Sequence, residues 1–241
     1  MKTSSNVMVF GGSGVIGGAI ATAFGHKGWT VGIHYHQHQS AAAETATTVT
    51  KAGGKSHLYQ ADVTNPSQVR DTLRNFVRSH GSLNVLVWAV GAGSSLLLLK
   101  TSPKEWTQTL HTNLTGAYHV LKAIAPIFEQ QKDGSVILVG SLSGEQGVAG
   151  QAAYAASKAG LIGLMRTAAQ EWGSFNIRVN VIFPGWHLSP LSKPGFPLDM
   201  EHHTHTLHRT PSLQYVATSV YHVALSPDTS GQVWNLDSRI W

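Results

Sequence analysis

Three side chains between residues 141 and 158 have the types and spacing for proton chemistry at an oxygen. Tyr154 and Lys158 are four residues apart in a helical pattern, so they share one face of a helix. Ser141 precedes Tyr154 by thirteen residues and ends the apolar run "GSVILVG", where a strand would deliver it to a ligand crevice. A free phenol has a pKa of about 10, too high for an efficient acid/base near neutrality. An ammonium alongside stabilises the phenolate and moves the phenol toward working pH. A serine hydroxyl donates to a carbonyl oxygen and stabilises the alkoxide that develops there. A Tyr/Lys pair at this spacing is commonplace, so its meaning depends on the elements that position it.

Those elements alternate. Short apolar runs rich in valine and isoleucine at 7–10, 30–35, 56–60, 85–89, 135–139, 178–182 and 232–235 read as buried strands. Helical patterns near 17–28, 40–53, 66–80, 103–131, 152–174 and 212–225 lie between them, and Asn65-Pro66 and Ser102-Pro103 mark two helix starts. The pattern predicts an α/β fold: a doubly wound, seven-stranded parallel sheet of Rossmann type in three α-β-α layers. With 241 residues, 42% of hydrophobic type, the chain has enough apolar sequence for a single domain over 1–241. The stretch 186–209, with three prolines and five histidines, reads as a loop or flexible helix over the site, a substrate lid.

Bulk properties exclude several classes. The net charge is +5 with a pI near 9.5, yet the 17 Lys and Arg residues are scattered, which argues against nucleic acid as partner. There is no cysteine, and hence no disulfide and no Cys-based zinc site. No apolar run approaches the roughly 20 residues of a membrane span, and the four apolar residues after Asn6 are too few for a signal peptide. A cytoplasmic location is expected, with no membrane partner.

The stretch "VFGGSGVIGGAI" at 9–20 runs from a strand through glycines at 11, 14 and 17 into a helix. Glycine permits the tight turn, backbone approach to a pyrophosphate and close packing of helix on strand, while the first helical amides face the phosphates. An NAD site usually places an acid about 20 residues on, where it bonds the ribose hydroxyls. Here that region reads "IHYHQHQ" at 33–39, and the first acid is Glu44, in the next helix. Histidines and an amide would not repel a 2′-phosphate, so the pattern leans to NADP. The alternative is that these histidines only form a polar strand end.

Together, the glycine loop, Ser141 and the Tyr-x-x-x-Lys pair resemble the short-chain dehydrogenase/reductase family from Val7 to about Asp237. Among its single-domain members the chain is most similar to the 3-oxoacyl-carrier-protein reductases. The resemblance implies a catalytic set of Asn113, Ser141, Tyr154 and Lys158, with Asn113 in "HTNLTGAY" holding a water that links Lys158 to solvent. It also implies cofactor contacts at Gly11, Ser13, Gly14, Val15, Ile16 and Gly17 in the loop, and at Tyr35 and His36 after it. Asp62 and Val63 of "ADVT" would lie near the adenine, and Ala89 and Gly91 near the cofactor after the fourth strand. Tyr154 and Lys158 would touch the nicotinamide side, together with Pro184, Gly185, His187 and Ser189.

The chain also departs from the family pattern. The family's Thr-Gly-x-x-x-Gly-x-Gly has Phe10 for the threonine and Val15 for the middle glycine, while Gly14 restores a three-residue glycine spacing. Gly14 also stands where many NADP-dependent members carry an arginine. For Asn-Asn-Ala-Gly the chain has Trp88-Ala89-Val90-Gly91, which loses side-chain hydrogen bonds that support the sheet. The arginines with which carrier-protein reductases dock the carrier correspond to Pro126 and Gln170.

The expected activity is NADPH-dependent reduction of a small-molecule carbonyl, a ketone or 3-oxoacyl compound, to an alcohol. The alternative is an NADP-binding regulatory or scaffold protein of the same fold. The apolar stretch Leu96–Leu99 would line a lipid-like pocket, contact another subunit or join the core. The lid histidines at 202, 203, 205 and 208 invite a metal reading, but the chemistry needs none and no metal is expected. The Ala-, Gly- and Ser-rich helix around Tyr154 allows close helix approach, and a homodimer or homotetramer is expected.

Overall fold

The five inner strands are buried on both faces, and the structure accounts for this by placing helices on both sides of them. The structure is a computed structural model, and it describes residues 5–189, 192 and 205–240. Seven parallel strands are ordered β3-β2-β1-β4-β5-β6-β7. They are β1 (Asn6–Phe10), β2 (Thr30–Tyr35), β3 (Lys55–Gln60), β4 (Val85–Trp88), β5 (Gly134–Val139), β6 (Ile177–Phe183) and β7 (Val233–Asn235). Alternate residues of each strand serve opposite layers. Val7 and Val9 of β1 pack with α1 (Val15–Gly25), α2 (Gln39–Lys51) and α8 (Leu213–Ala224). Met8 and Phe10 pack with α3 (Pro66–His80), α5 (Gly116–Gln131) and α7 (Ala152–Trp172). The expected three-layer Rossmann arrangement is what the chain adopts.

The helix starts follow from their caps. Asn65 accepts from the amides of Ser67 and Gln68 at the head of α3, with Pro66 in its first turn. Ser102 and Glu105 form a reciprocal capping box at the head of α4 (Pro103–Leu110). The apolar pattern from 103 to 131 reads as one helix, but the structure interrupts it with a π-helical turn at His111–Thr115. A further short helix, α6 (Ser143–Gln146), follows β5.

The strand order reverses between β1 and β4, and this switch point lies beside the glycine loop. Most of the lid segment 186–209 lies outside the described residues, His202 and His203 included.

Candidate active site

At the carboxyl end of β1 the chain turns sharply through Gly11, whose φ is +81°. A Cβ there would stand 2.7 Å from the Ala89 carbonyl group, so only glycine allows the loop to lie on the β4 terminus. The Gly14 amide donates to the Gly11 carbonyl oxygen at 3.0 Å. A Cβ at Gly17 would meet that same oxygen at 2.2 Å, so the α1 backbone sits directly on the turn. Gly14, the N-cap of α1, has ordinary extended dihedrals and caps with no side chain, and no acid stands in the first turn. The first amides of such a helix have no intrahelical acceptor and face outward with the positive end of the dipole. Val15 opens the helix and is half-exposed, so the missing middle glycine leaves the cradle intact.

The polar support beneath this loop comes from an unexpected residue. Phe10 and Trp88 are fully buried, with ring centroids 6.2 Å apart, and Trp88 Nε1 has no hydrogen-bond partner among the described residues. His34 packs on Phe10 with centroids 4.7 Å apart, on the same face of the sheet. Its Nδ1 accepts from the Gly11 amide at 3.2 Å, and its Nε2 donates to the Ala61 carbonyl at 3.0 Å. The signal for it in the sequence is an imidazole inside the largely apolar run "TVGIHY".

At the end of β2 the Tyr35 ring is buried among the core side chains facing α1 and α2, whereas His36, Gln37 and His38 are exposed. Asp62, after β3, accepts at Oδ1 from the Thr64 amide (2.9 Å) and hydroxyl (2.7 Å). Partial burial disfavours the charged carboxylate, but the Thr64 bonds and nearby His36 and His111 outweigh this and hold it below the usual range. Val63 is buried, and its carbonyl accepts from His119 Nδ1.

The catalytic candidates converge at the ends of β4 and β5. Ser141 accepts from the Ser143 amide at 3.2 Å, and its side chain lies near the Tyr154 phenol. Lys158, 3% exposed, lies across the turn from Tyr154, its Nζ 5.6 Å from the ring centroid. Nζ donates to the carbonyls of Val139 (2.8 Å) and Val90 (3.4 Å). Burial lowers its pKa from 10.5 to about 8. Burial pushes the Tyr154 phenol up, and the nearby Ser141 hydroxyl opposes that rise. The phenol pKa therefore moves away from working pH here, contrary to the direction expected from a neighbouring ammonium, because burial outweighs the opposing contribution.

Asn113 lies in the π-helical turn, fully buried. Its Oδ1 accepts from the Ala92 amide, and its Nδ2 donates to the Ala92 carbonyl and to Ser157 Oγ, at 2.8, 2.8 and 2.9 Å. Ser157 in turn donates to the Tyr154 carbonyl at 2.7 Å. With both amide hydrogens used, the side chain ties the β4 loop to α7 and has no donor left for a water. Ser157, which the sequence pattern does not single out, completes this brace.

On the other side of the crevice, Gly185 has a φ of +80° and His187 Nε2 donates to the Pro184 carbonyl at 2.9 Å. Burial lowers the His187 pKa against the raising effects of that bond and of Asp237. Ser189 and Ser192 bond to each other through their hydroxyls at 3.1 Å. Leu97, Leu98 and Leu99 are 58, 68 and 100% exposed, which removes the core reading of that stretch. Leu96 bridges to Gln151, just before Tyr154, and so sets the leucine loop beside the site.

Comparisons with known proteins identify the family. A 3-oxoacyl-[acyl-carrier-protein] reductase of Staphylococcus epidermidis is 32% identical over 189 residues, 78% of each chain. One of Synechocystis is 32% identical over 219 residues, 91% of this chain and 84% of that one. The solved structure of an NAD+-bound xylitol dehydrogenase shares the fold with a TM-score of 0.90, covering 99% of this chain and all of that one at 24% identity. Residues 5–197 match the sequence model of the short chain dehydrogenases, and the chain belongs to that family of oxidoreductases.

Proposed function

We propose that this protein is an NADPH-dependent carbonyl reductase acting on a ketone or 3-oxoacyl substrate in the cytoplasm. The observation that carries the reading is Ser141 beside the Tyr154 phenol with the Lys158 ammonium across the turn, at the mouth of an uncapped glycine cradle. The cradle fits a dinucleotide: its amides face outward at a helix N-terminus, and a side chain at Gly11 or Gly17 would collide with backbone. Gly11 and Ser13–Gly17 would hold the pyrophosphate, Asp62 and Val63 the adenine, and Lys158 a ribose. Ala89, Gly91, Pro184, Gly185, His187 and Ser189 would flank the nicotinamide. NADP is favoured because the end of β2 carries exposed His36 and His38 and no carboxylate. The buried ring of Tyr35 leaves His36 as the nearer side chain for a 2′-phosphate.

Such a dinucleotide, when bound, supplies the hydride to the substrate carbonyl carbon. The chain's own residues handle the oxygen. Ser141 donates a hydrogen bond to it and stabilises the negative charge that develops. Tyr154, kept protonated by burial, gives it a proton. The Lys158 ammonium, held by Val139 and Val90, stabilises the phenolate left behind. Asn113 and Ser157 fix the helix that carries both residues.

The test is oxidation of NADPH and of NADH against a panel of ketones and 3-oxoacyl thioesters. NADPH is expected to be the better reductant, and His36→Ala to narrow the preference. Tyr154→Phe is expected to lower turnover about a hundredfold or more while changing NADPH binding by no more than about twofold, since only the proton donor is lost. Binding of NADPH without turnover on any substrate would support the scaffold alternative instead.

A further inference from the structure

We propose that His34 is a positioning residue for the dinucleotide cradle, its neutral imidazole joining the glycine loop to the loop between β3 and α3. The proposal rests on the dinucleotide-binding reading above. His34 is 2% exposed, inside β2, and it meets one backbone group at each ring nitrogen. The Ala61 carbonyl only accepts, so Nε2 carries the hydrogen. The Gly11 amide only donates, so Nδ1 must be bare. The two partners therefore select one neutral tautomer. A protonated ring would set an N–H against the Gly11 N–H, and burial disfavours protonation, holding the pKa at about 4. Of the nearby groups, His36 lowers it further and Asp62 raises it.

The position of this bond is what gives it consequence. Gly11 lies under the Gly17 backbone and accepts from the Gly14 amide, so fixing Gly11 fixes the first turn of α1. Ala61 directly precedes Asp62 and Val63, on the adenine side. One imidazole thus spans the pyrophosphate and adenine ends of the cradle. Phe10 and Trp88, at the base of the loop, are packed as apolar rings. Among the described residues, His34 is the one side chain that hydrogen-bonds to the backbone of residues 11–17.

The experiment pairs two variants with a spectroscopic reading of the wild type. His34→Phe keeps a ring against Phe10 but makes neither bond. His34→Asn places an oxygen where Nδ1 was and keeps the Gly11 bond alone. Dissociation constants for NADP+, NAD+ and ADP-ribose are measured by calorimetry on the cofactor-free chain, alongside urea unfolding. His34→Phe is expected to weaken all three ligands about tenfold and His34→Asn about threefold or less, in keeping with loss of two and one hydrogen bonds. The urea midpoints establish that both variants are folded where binding is measured. In wild type, 15N imidazole shifts are expected to show the Nε2–H tautomer, neutral down to about pH 5. Unchanged ligand affinities in His34→Phe, or an Nδ1–H tautomer, would overturn the proposal. Wild-type chain that binds none of the ligands would overturn the dinucleotide reading, and the proposal with it.

Discussion

Tyr154 and Lys158 sit in surroundings that push both toward neutrality, raising the phenol and lowering the ammonium to about 8. A buried lysine with two carbonyl acceptors keeps hydrogen bonds but loses hydration, and desolvation dominates. This imbalance reaches stability. Between pH 8 and 10.5 the unfolded chain holds the Lys158 proton and the folded chain does not, so this group makes stability rise with pH across that window. At about 1.4 kcal/mol for each tenfold change in proton affinity, the gap between 10.5 and about 8 corresponds to about 3 kcal/mol. Lys158→Met removes the group, so from pH 7 to 9.5 the wild-type unfolding free energy should rise relative to that of the variant above pH 8. Parallel curves would refute the shift. At this scale the sequence pointed to Ser141, Tyr154 and Lys158 through their spacing combined with the glycine loop, and to Asn113 through a motif, and the structure brings these residues to one crevice. The sequence did not reveal His34 or Ser157, because each has partners far away in the chain, the Gly11 and Ala61 backbone for His34 and the Asn113 side chain for Ser157.

At the scale of elements, the five inner strands were legible because burial on both faces leaves an unbroken apolar run with few alternative readings, while the edge strands β3 and β7 are largely or partly exposed. All seven appear within about two residues of the expected bounds. The π turn at His111–Thr115 was not legible, since one extra residue in a helical turn leaves an apolar pattern nearly unchanged. Yet that turn aims Asn113 inward, so the structure adds a cause that the motif alone did not contain. The glycine loop allows a graded test of its geometry. A Cβ at Gly17 would meet the Gly11 carbonyl oxygen at 2.2 Å, and one at Gly14 would meet it at 3.3 Å. Gly17→Ala is therefore expected to cost about 1–3 kcal/mol of stability and to weaken NADP+ binding at least tenfold, because backbone must move. Gly14→Ala requires a shift of only a few tenths of an ångström and is expected to change binding less than about threefold. Calorimetric titration with thermal unfolding separates the two, and equal losses in both variants would show that the cradle is not set by this contact.

The whole molecule has an outer surface that its own fold does not explain. Ala159, Gly163, Arg166 and Gln170 lie exposed along α7, nearly a turn apart, and a Cβ on Gly163 would meet nothing within 4 Å. Glycine in a helix interior costs up to about 1 kcal/mol relative to alanine, and no contact among the described residues repays it here. Small residues on an open helix face do allow a second backbone to approach closely, and a two-fold axis would bring this face against its own copy. From the sequence, small residues on this helix were visible, but not which of them face outward; the buried stripe Ser157, Leu161 and Met165 fixes that. We predict that light scattering at micromolar concentration gives two or four times the chain mass of 25.8 kDa. Gly163→Trp adds a large ring to this face without touching the core. It is expected to shift the mass toward 25.8 kDa while circular dichroism stays unchanged. A monomeric wild type, or a Gly163→Trp chain that keeps the wild-type mass, would mean that α7 is not the subunit contact.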